Sequence, residues 1–576
     1  MTSGIRIVRY GAVAVLCVLA FMAGRVAARS GPPPAAPAAA PDEGPAVHAI
    51  VRADRKGLLL ADGPGVLIEK AAVGDDWRDA ARIAPGGFFA ARTAVEAGDM
   101  LRFAVSGGPA KVTLVDGHGE ARVLYEGAPS AAGWTDVECV AGSAGTSVLF
   151  EASDARETLI ANPRIVRAER ALNVVFVIAD ALRADRLGVY GYSRSTSPEI
   201  DAAAGAGVVF ADCQAQAPWT APSVASIFTS LYPSEHGRVL PLDGRSPGLE
   251  SVAERFAAAG YITGAVQANP NLSPVHGSAD GFHEYIMYPR RDMTDDERAR
   301  FARADVVTDA GVAWIERHRG EPFFLYLHYM DPHAPYAPAA EFNVFGKAPS
   351  DLYDGEVASV SRGFGRLYGY LGREGLLENT VVVLTSDHGE QFYEHGSRDH
   401  GNCLHVEELH VPLVIWMPGR ASRRVAGPLE SIDIAPTLLE LAGLPALAEA
   451  RGISFAGALS GDALPAGAVI SELMAFKDAG QHQVSVVEDG YRLIAHMPTD
   501  NWRRRVELYS SVADPGEYVN LAAAEPERLA AMLRTARRHV RTASARHEGL
   551  VPEPVIIEPS SERVELLRAI GYLSPG

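Results

Sequence analysis

Two apolar runs that end abruptly in acid constrain this chain more than any other feature. One is Asn173-Val-Val-Phe-Val-Ile-Ala-Asp180, and the other is Val381-Val-Val-Leu-Thr-Ser-Asp387-His388-Gly389-Glu390. Neither alternates polar with apolar, and both are rich in β-branched residues. Each therefore predicts a strand buried on both faces, as in a parallel sheet covered by helices. In an open α/β sheet, ligands gather beyond the carboxyl ends of the strands. Asp180, Asp387 and His388 would then converge on one divalent cation, because carboxylate and imidazole donors suit a hard or borderline metal. Taken singly each piece has a plainer reading, since a strand-terminal Asp commonly caps the next helix.

A third element joins them. Pro218-Trp219-Thr220-Ala221-Pro222-Ser223 reads as a Pro-punctuated turn feeding a helix that continues to Thr229. A hydroxyl at the start of such a helix faces unpaired N–H groups and the positive end of the dipole. That placement suits attack on an anionic phosphorus or sulfur centre.

At this point the chain resembles the sulfatase-like branch of the alkaline phosphatase superfamily. The stretch Asp180-Ala-Leu-Arg-Ala-Asp185 followed by Gly188-Val-Tyr-Gly191 looks like that family's first motif. The likeness continues through Leu231-Tyr-Pro-Ser-Glu-His-Gly237, Tyr329-Met-Asp-Pro-His333, Thr385-Ser-Asp-His-Gly-Glu390 and Glu394-His-Gly396. It runs on through Glu407-Glu-Leu-His-Val-Pro-Leu413 and Asp433-Ile-Ala-Pro-Thr437 to Asp514-Pro-Gly-Glu-Tyr-Val-Asn-Leu521, covering roughly residues 172 to 525 in order. The resemblance implies an alkaline-phosphatase-like, mostly parallel sheet with helices on both faces and a small C-terminal α+β part.

One departure bears on chemistry. Family sulfatases convert a Cys or Ser in Cys/Ser-X-Pro-X-Arg to formylglycine, whereas this chain has Thr220-Ala-Pro222-Ser223-Val224. Cys213 lies outside the motif and reads as a small core residue. The family's Gly-Lys-Trp-His type segment is replaced by Gln267-Ala-Asn269-Pro-Asn-Leu272. A threonine nucleophile resembles instead the phosphoryl-transfer members of the superfamily. The expected site is a metal held by Asp180, Thr220, Asp387 and His388, with Thr220, His400 and His333 catalytic and Asn269, His333 and His400 binding substrate. His395 and His405 are weaker candidates. Any of these histidines alone is as readily a hydrogen-bonded structural residue. One metal is favoured, zinc or manganese ahead of calcium. Asp331, His333, His400 and Asp185 are the candidates for a second ion.

The chain's 576 residues predict more than one domain. Arg6 and Arg9 precede an apolar run from Ala12 to Ala23, too short for a comfortable membrane span. Residues 1–28 read as a signal peptide, with an uncleaved anchor as the alternative, and residues 29–46 as a Pro/Ala linker. An exported protein, periplasmic or at the cell surface, is the expectation. Residues 47–168 carry short strand-like runs, at 66–68, 100–105, 111–115, 121–125 and 146–150, separated by turn residues. They predict an all-β sandwich of the antiparallel or jelly-roll kind. Its plainer role is to orient the catalytic core. Carbohydrate binding is the alternative, with Trp77 and Trp134 as the indole platforms. Residues 169–450 form the expected catalytic domain and 451–576 a C-terminal subdomain with helices over 527–541 and 561–572.

A net charge of -18 argues against a nucleic-acid partner, and four cysteines do not make a disulfide scaffold. The expected substrate is a small anionic ester or a glycan- or lipid-linked one, with membrane or envelope association kept open. Phosphodiester or phosphoryl transfer through Thr220 leads. Sulfate-ester hydrolysis without formylglycine is the alternative, and an envelope-binding protein of low activity the second alternative.

Overall fold

The acid-terminated runs lie side by side. In the computed structural model, residues 51–557 are described except 54–58, 62–65, 74–75, 130–132, 154–155, 167–170, 289–302, 475–481, 498–505 and 552–554. The central sheet comprises Asn173–Ala179 (β1), Val208–Gln214 (β2), Ile262–Gln267 (β3), Glu284–Met287 (β4), Phe323–Tyr329 (β5), Thr380–Ser386 (β6), His410–Trp416 (β7) and Arg423–Glu430 (β8). Their order in space is β8-β2-β7-β6-β1-β5-β3-β4. Strands β1, β3, β4, β5 and β6 run parallel, while β7 is antiparallel to both of its neighbours.

The lack of alternation in β1 has its cause in the packing. Val174, Phe176 and Ile178 join one core, with Val224, Ile227 and Phe228 of the helix Thr220–Thr229 (α1). Val175, Val177 and Ala179 join the other. That second core lies under the helices Ala304–His318 (α2) and Pro349–Arg373 (α3). The length of α3 was not foreseen. Its five glycines weaken helix propensity, but Tyr353, Val357, Val360, Phe364, Leu367 and Leu371 form a buried stripe at helical spacing, and tertiary packing overrides propensity.

The expected sandwich is present, and one of its two layers belongs to the catalytic sheet. Strand Asp76–Ile83 pairs antiparallel with β4, placing Arg78 opposite Glu284 and Trp77 opposite Tyr285. The sheet then continues through Thr158–Val166, Met100–Gly107 and Thr135–Val140, with Val66–Val73 also paired to Asp76–Ile83. The facing layer contains Phe88–Val95, Gly145–Ala152, Ala110–Val115 and Ala121–Gly127. Phe89, Phe103 and Phe150 fill the space between the layers.

Buried charges cross the junction. Arg78 pairs with Asp76 at 2.9 Å and lies 3.7 Å from Glu284, which in turn holds Arg317 and His318, each at 3.0 Å. Glu321 holds Arg102 and Arg164, both at 2.7 Å. The two sandwich tryptophans serve this junction rather than standing out as platforms. Trp77 packs on the catalytic core, and Trp134 donates its indole N–H to the Asp76 carbonyl at 3.2 Å.

A four-stranded antiparallel meander, Val469–Met474, His482–Glu488, Tyr491–Met497 and Val506–Ser510, carries the helix Pro526–Leu550 (α4). His539 of α4 meets the buried Glu472 at 2.8 Å. The apolar run 12–23, the linker 29–46 and the expected helix 561–572 lie outside the described residues, among which no helix is long and apolar enough to cross a membrane.

Candidate active site

The parallel register sets the geometry. Ala179 pairs with Ser386, so Asp180 and Asp387 leave the same sheet edge on neighbouring strands. Ser386 Oγ accepts from the Leu182 N–H at 2.8 Å and lies 2.6 Å from the Ala179 carbonyl, locking the two strand ends together. Gly389 follows because no side chain fits: a Cβ there would sit 2.0 Å from the Glu407 carbonyl oxygen. Thr220 is the first residue of α1, and Ser223 one turn on donates its hydroxyl to the Asp387 carbonyl at 2.5 Å.

Asp180, Asp387 and His388 are fully buried and offer ligand atoms within 4.8 Å of one another. Asp180 Oδ1 and Asp387 Oδ2 have no hydrogen-bond partner among the described residues. They lie 3.4 and 3.7 Å from His388 Nε2. His388 donates its Nδ1–H to the Gly389 carbonyl at 2.8 Å, which leaves Nε2 facing the carboxylates. Two unpaired carboxylate oxygens in a dry site are costly, and a divalent cation is the group this donor set fits. The field says the same. Burial opposes charge on His388, yet Asp387 and Asp180 raise it to about 10. Burial and the nearby Asp180 raise Asp387, whereas His333, His328 and His388 overcome burial and hold Asp180 well below the usual carboxylate range.

Thr220 Oγ1 reaches the same point, 3.4 Å from His388 Nε2. Asn269 donates one amide to both Asp180 Oδ2, at 2.6 Å, and Thr220 Oγ1, at 3.2 Å, while its own oxygen accepts from Asn271 N. It therefore holds the Thr220 hydroxyl against the Asp180 carboxylate. His400 stacks near His388, with ring centroids 4.4 Å apart, and His333 packs on His400 at 4.7 Å. His400 Nδ1 is 3.1 Å from Glu390, a buried carboxyl pushed up to about 7 by desolvation.

Asp331 and Asp185 do not join the cluster. Asp331 accepts from Ala304 N and Ser359 Oγ, and Asp185 is bound to Arg183. His328 was missed. It is the penultimate residue of the apolar strand β5, donates toward Asp180 Oδ2 at 3.0 Å and meets Tyr326 OH at 2.6 Å through its other nitrogen. The signal was the one used for Asp180, a lone polar residue at the carboxyl edge of an apolar run. Cys139, Cys213 and Cys403 are all free, Cys213 fully buried.

Residues 172–444 match the family model described as sulfatase, and residues 393–543 match that of the C-terminal part of N-sulphoglucosamine sulphohydrolase. The two matches together span more than half of the chain. Relatives in sequence include an endo-4-O-sulfatase of Bacteroides thetaiotaomicron, 25% identical over 352 residues, covering 47% of this chain and 69% of that protein. An N-acetylglucosamine-6-O-sulfatase of the same organism is 22% identical over 475 residues, covering 63% and 84%. The fold is shared with the phosphonate monoester hydrolase of Agrobacterium radiobacter, at 20% identity and a TM-score of 0.52 over 67% of this chain and 100% of that one. Fold and sequence agree, and the chain belongs to the sulfatase-like family.

Proposed function

We propose that the protein cleaves a phosphate-type ester, a phosphodiester in preference to a sulfate ester, with Thr220 as nucleophile. One observation carries the reading: the residue at the head of α1, beside Asp180 and His388, is a threonine with its hydroxyl already held by Asn269. Its Cβ bears a methyl group, so oxidation there cannot yield an aldehyde. A covalent intermediate on Thr220 is then a plain ester. It is released only by attack of water or an alcohol on its phosphorus or sulfur.

A zinc or manganese ion held by Asp180, Asp387, His388 and the Thr220 oxygen would lower the hydroxyl pKa and offset charge on the ester oxygens. Thr220 Oγ gives its proton to solvent water and bonds to phosphorus as the leaving P–O bond breaks. The leaving oxygen takes a proton from His400 or His333, which line the site next to His388. Water then attacks phosphorus, giving a proton back to the imidazole that lost one in the first step, and the Thr220 oxygen takes a proton from solvent as its bond to phosphorus breaks.

Sulfate-ester hydrolysis is the second reading, favoured by the names of the relatives in sequence. Residues 1–28 support placing the enzyme outside the cytoplasm, on the pattern of their charged and apolar residues. The deciding experiment assays the metal-loaded full chain on matched 4-nitrophenyl phosphodiester, phosphonate and sulfate. A higher kcat/KM for the sulfate would reverse the order of the two readings.

A further inference from the structure

A second cluster of metal-ligating side chains lies outside the catalytic centre. His395, His405 and Glu407 each offer a ligand atom within 4.8 Å of the others. The two imidazoles stack almost parallel, with centroids 3.7 Å apart and planes 5° from coplanar. Two protonated rings so placed would repel, and their far nitrogens show how both are held. His405 Nε2 is 3.0 Å from Glu507 Oε2, to which it donates. His395 Nε2 is 3.0 Å from the Glu517 carbonyl oxygen, to which it donates. An oxygen on the far nitrogen orients a histidine so that its near nitrogen faces the metal position; at His395 that nitrogen carries a proton donated to Glu407, which an arriving metal would displace.

Two of those near atoms are buried and unfilled. His405 is 7% exposed and Glu407 4% exposed. His405 Nδ1 and Glu407 Oε2 have no hydrogen-bond partner among the described residues. Glu407 Oε1 accepts from Gln391 Nε2 at 2.7 Å and from His395 Nδ1 at 2.6 Å. A crevice of about 360 Å³, lined by Arg183, Asp185, Glu394, Val406 and Tyr518, reaches the cluster at Glu407.

We propose that His395, His405 and Glu407 form a second divalent-metal site, selective for zinc over calcium or magnesium. Two imidazoles and one carboxylate match the donor preference of zinc, whereas calcium and magnesium favour sites built wholly of oxygen. The ion has a structural task. The segment from Asp387 to Glu408 is anchored at its start by the catalytic carboxylate and carries His400 midway. A metal on His395, His405 and Glu407 anchors its end. Glu507 and Glu517, which orient the two histidines, come from the C-terminal region, so the ion also ties that region to the His400 loop.

The test uses the full-length protein and zinc itself. Asp180→Ala with Asp387→Ala removes the catalytic carboxylates. After dialysis against micromolar zinc, metal analysis of this double variant should find about one equivalent. Adding His405→Gln and Glu407→Gln, with folding checked by circular dichroism, should remove that equivalent. Zinc should also raise the melting midpoint of the double variant and not that of the quadruple one. Absence of zinc from the double variant, or retention of zinc by the quadruple variant, overturns the proposal. Should the quadruple variant not fold, cobalt decides. An intense visible band in the double variant supports a four- or five-coordinate site, and only the weak band of aqueous cobalt overturns it.

Discussion

Thr220→Val separates a nucleophile from a well-placed core residue. The change keeps volume and β-branching and removes one oxygen, which accepts from Asn269 at 3.2 Å and lies 3.4 Å from His388. Asn269 keeps its stronger bond to Asp180 at 2.6 Å, so the loss is confined to the long hydrogen bonds of the hydroxyl, about 1–2 kcal/mol in all. The melting midpoint should therefore fall by no more than about 4 °C. No neighbouring hydroxyl can take over, because Ser223 Oγ is committed to the Asp387 carbonyl at 2.5 Å. Turnover should fall at least ~1,000-fold, equivalent to about 4 kcal/mol of transition-state stabilisation. Thr220→Ser should keep measurable activity, since the hydroxyl remains with a looser rotamer. The assay is kcat/KM on the best 4-nitrophenyl ester, with metal content measured on the same samples. A Thr220→Val enzyme near the parental rate would place the attack on a water molecule and refute the argument for Thr220.

Further outcomes can be checked independently. Asp180→Ala or Asp387→Ala should each abolish metal binding at the catalytic centre or weaken it strongly, as read by calorimetric titration; unchanged affinity would remove these carboxylates from the ligand set. Intact-peptide mass spectrometry should find Thr220, Cys213 and Ser223 unoxidised, and an aldehyde on Cys213 or Ser223 would reinstate formylglycine chemistry. Although burial alone would raise it, Glu472 is held at about 2, chiefly by His539, with His482 and Ser234 adding to it. Its folded pKa lies below its unfolded value, so its stabilisation, roughly 3 kcal/mol, is present above pH ~4.5 and is lost as pH falls through ~2. Denaturant midpoints should show Glu472→Gln less stable at pH 7 with the gap closing below pH 4; a gap independent of pH contradicts this. Gly264→Ala puts a methyl 2.3 Å from the fully buried Trp314 and should cost about 1–3 kcal/mol in a urea melt. A neutral result would mean that Trp314 is free to move.

The catalytic edge was legible because it is written in local sequence. Asp180, Asp387 and His388 each interrupt an apolar run, and a parallel sheet brings the ends of such runs together. Thr220 was legible from its place at a helix start. His328 escaped because an imidazole between Leu327 and Tyr329 reads as part of a strand, and only the pairing of β1 with β5 puts it on Asp180. The role of Asn269 escaped for a similar reason, since its partners are 89 and 49 residues away. Helix α3 was hidden by glycines that its buried stripe tolerates. Strand Asp76–Ile83 was hidden by its charges: Asp76, Arg78 and Asp79 look like a loop until Glu284 and the other buried partners are in place.

The continuous sheet makes the β-sandwich a poor candidate for a movable module. Grafting or deletion works where few contacts cross a boundary. Here the cut would run through a backbone ladder between Asp76–Ile83 and β4, leaving β4 as an open edge that invites association between chains. It would also leave Glu284 and Glu321 without Arg78, Arg102 and Arg164, so the shortened enzyme would keep two buried acids with only Arg317 and His318 beside them. A catalytic fragment beginning near residue 169 should for that reason be recovered aggregated. Stable fusions and tags belong instead on surfaces away from this seam.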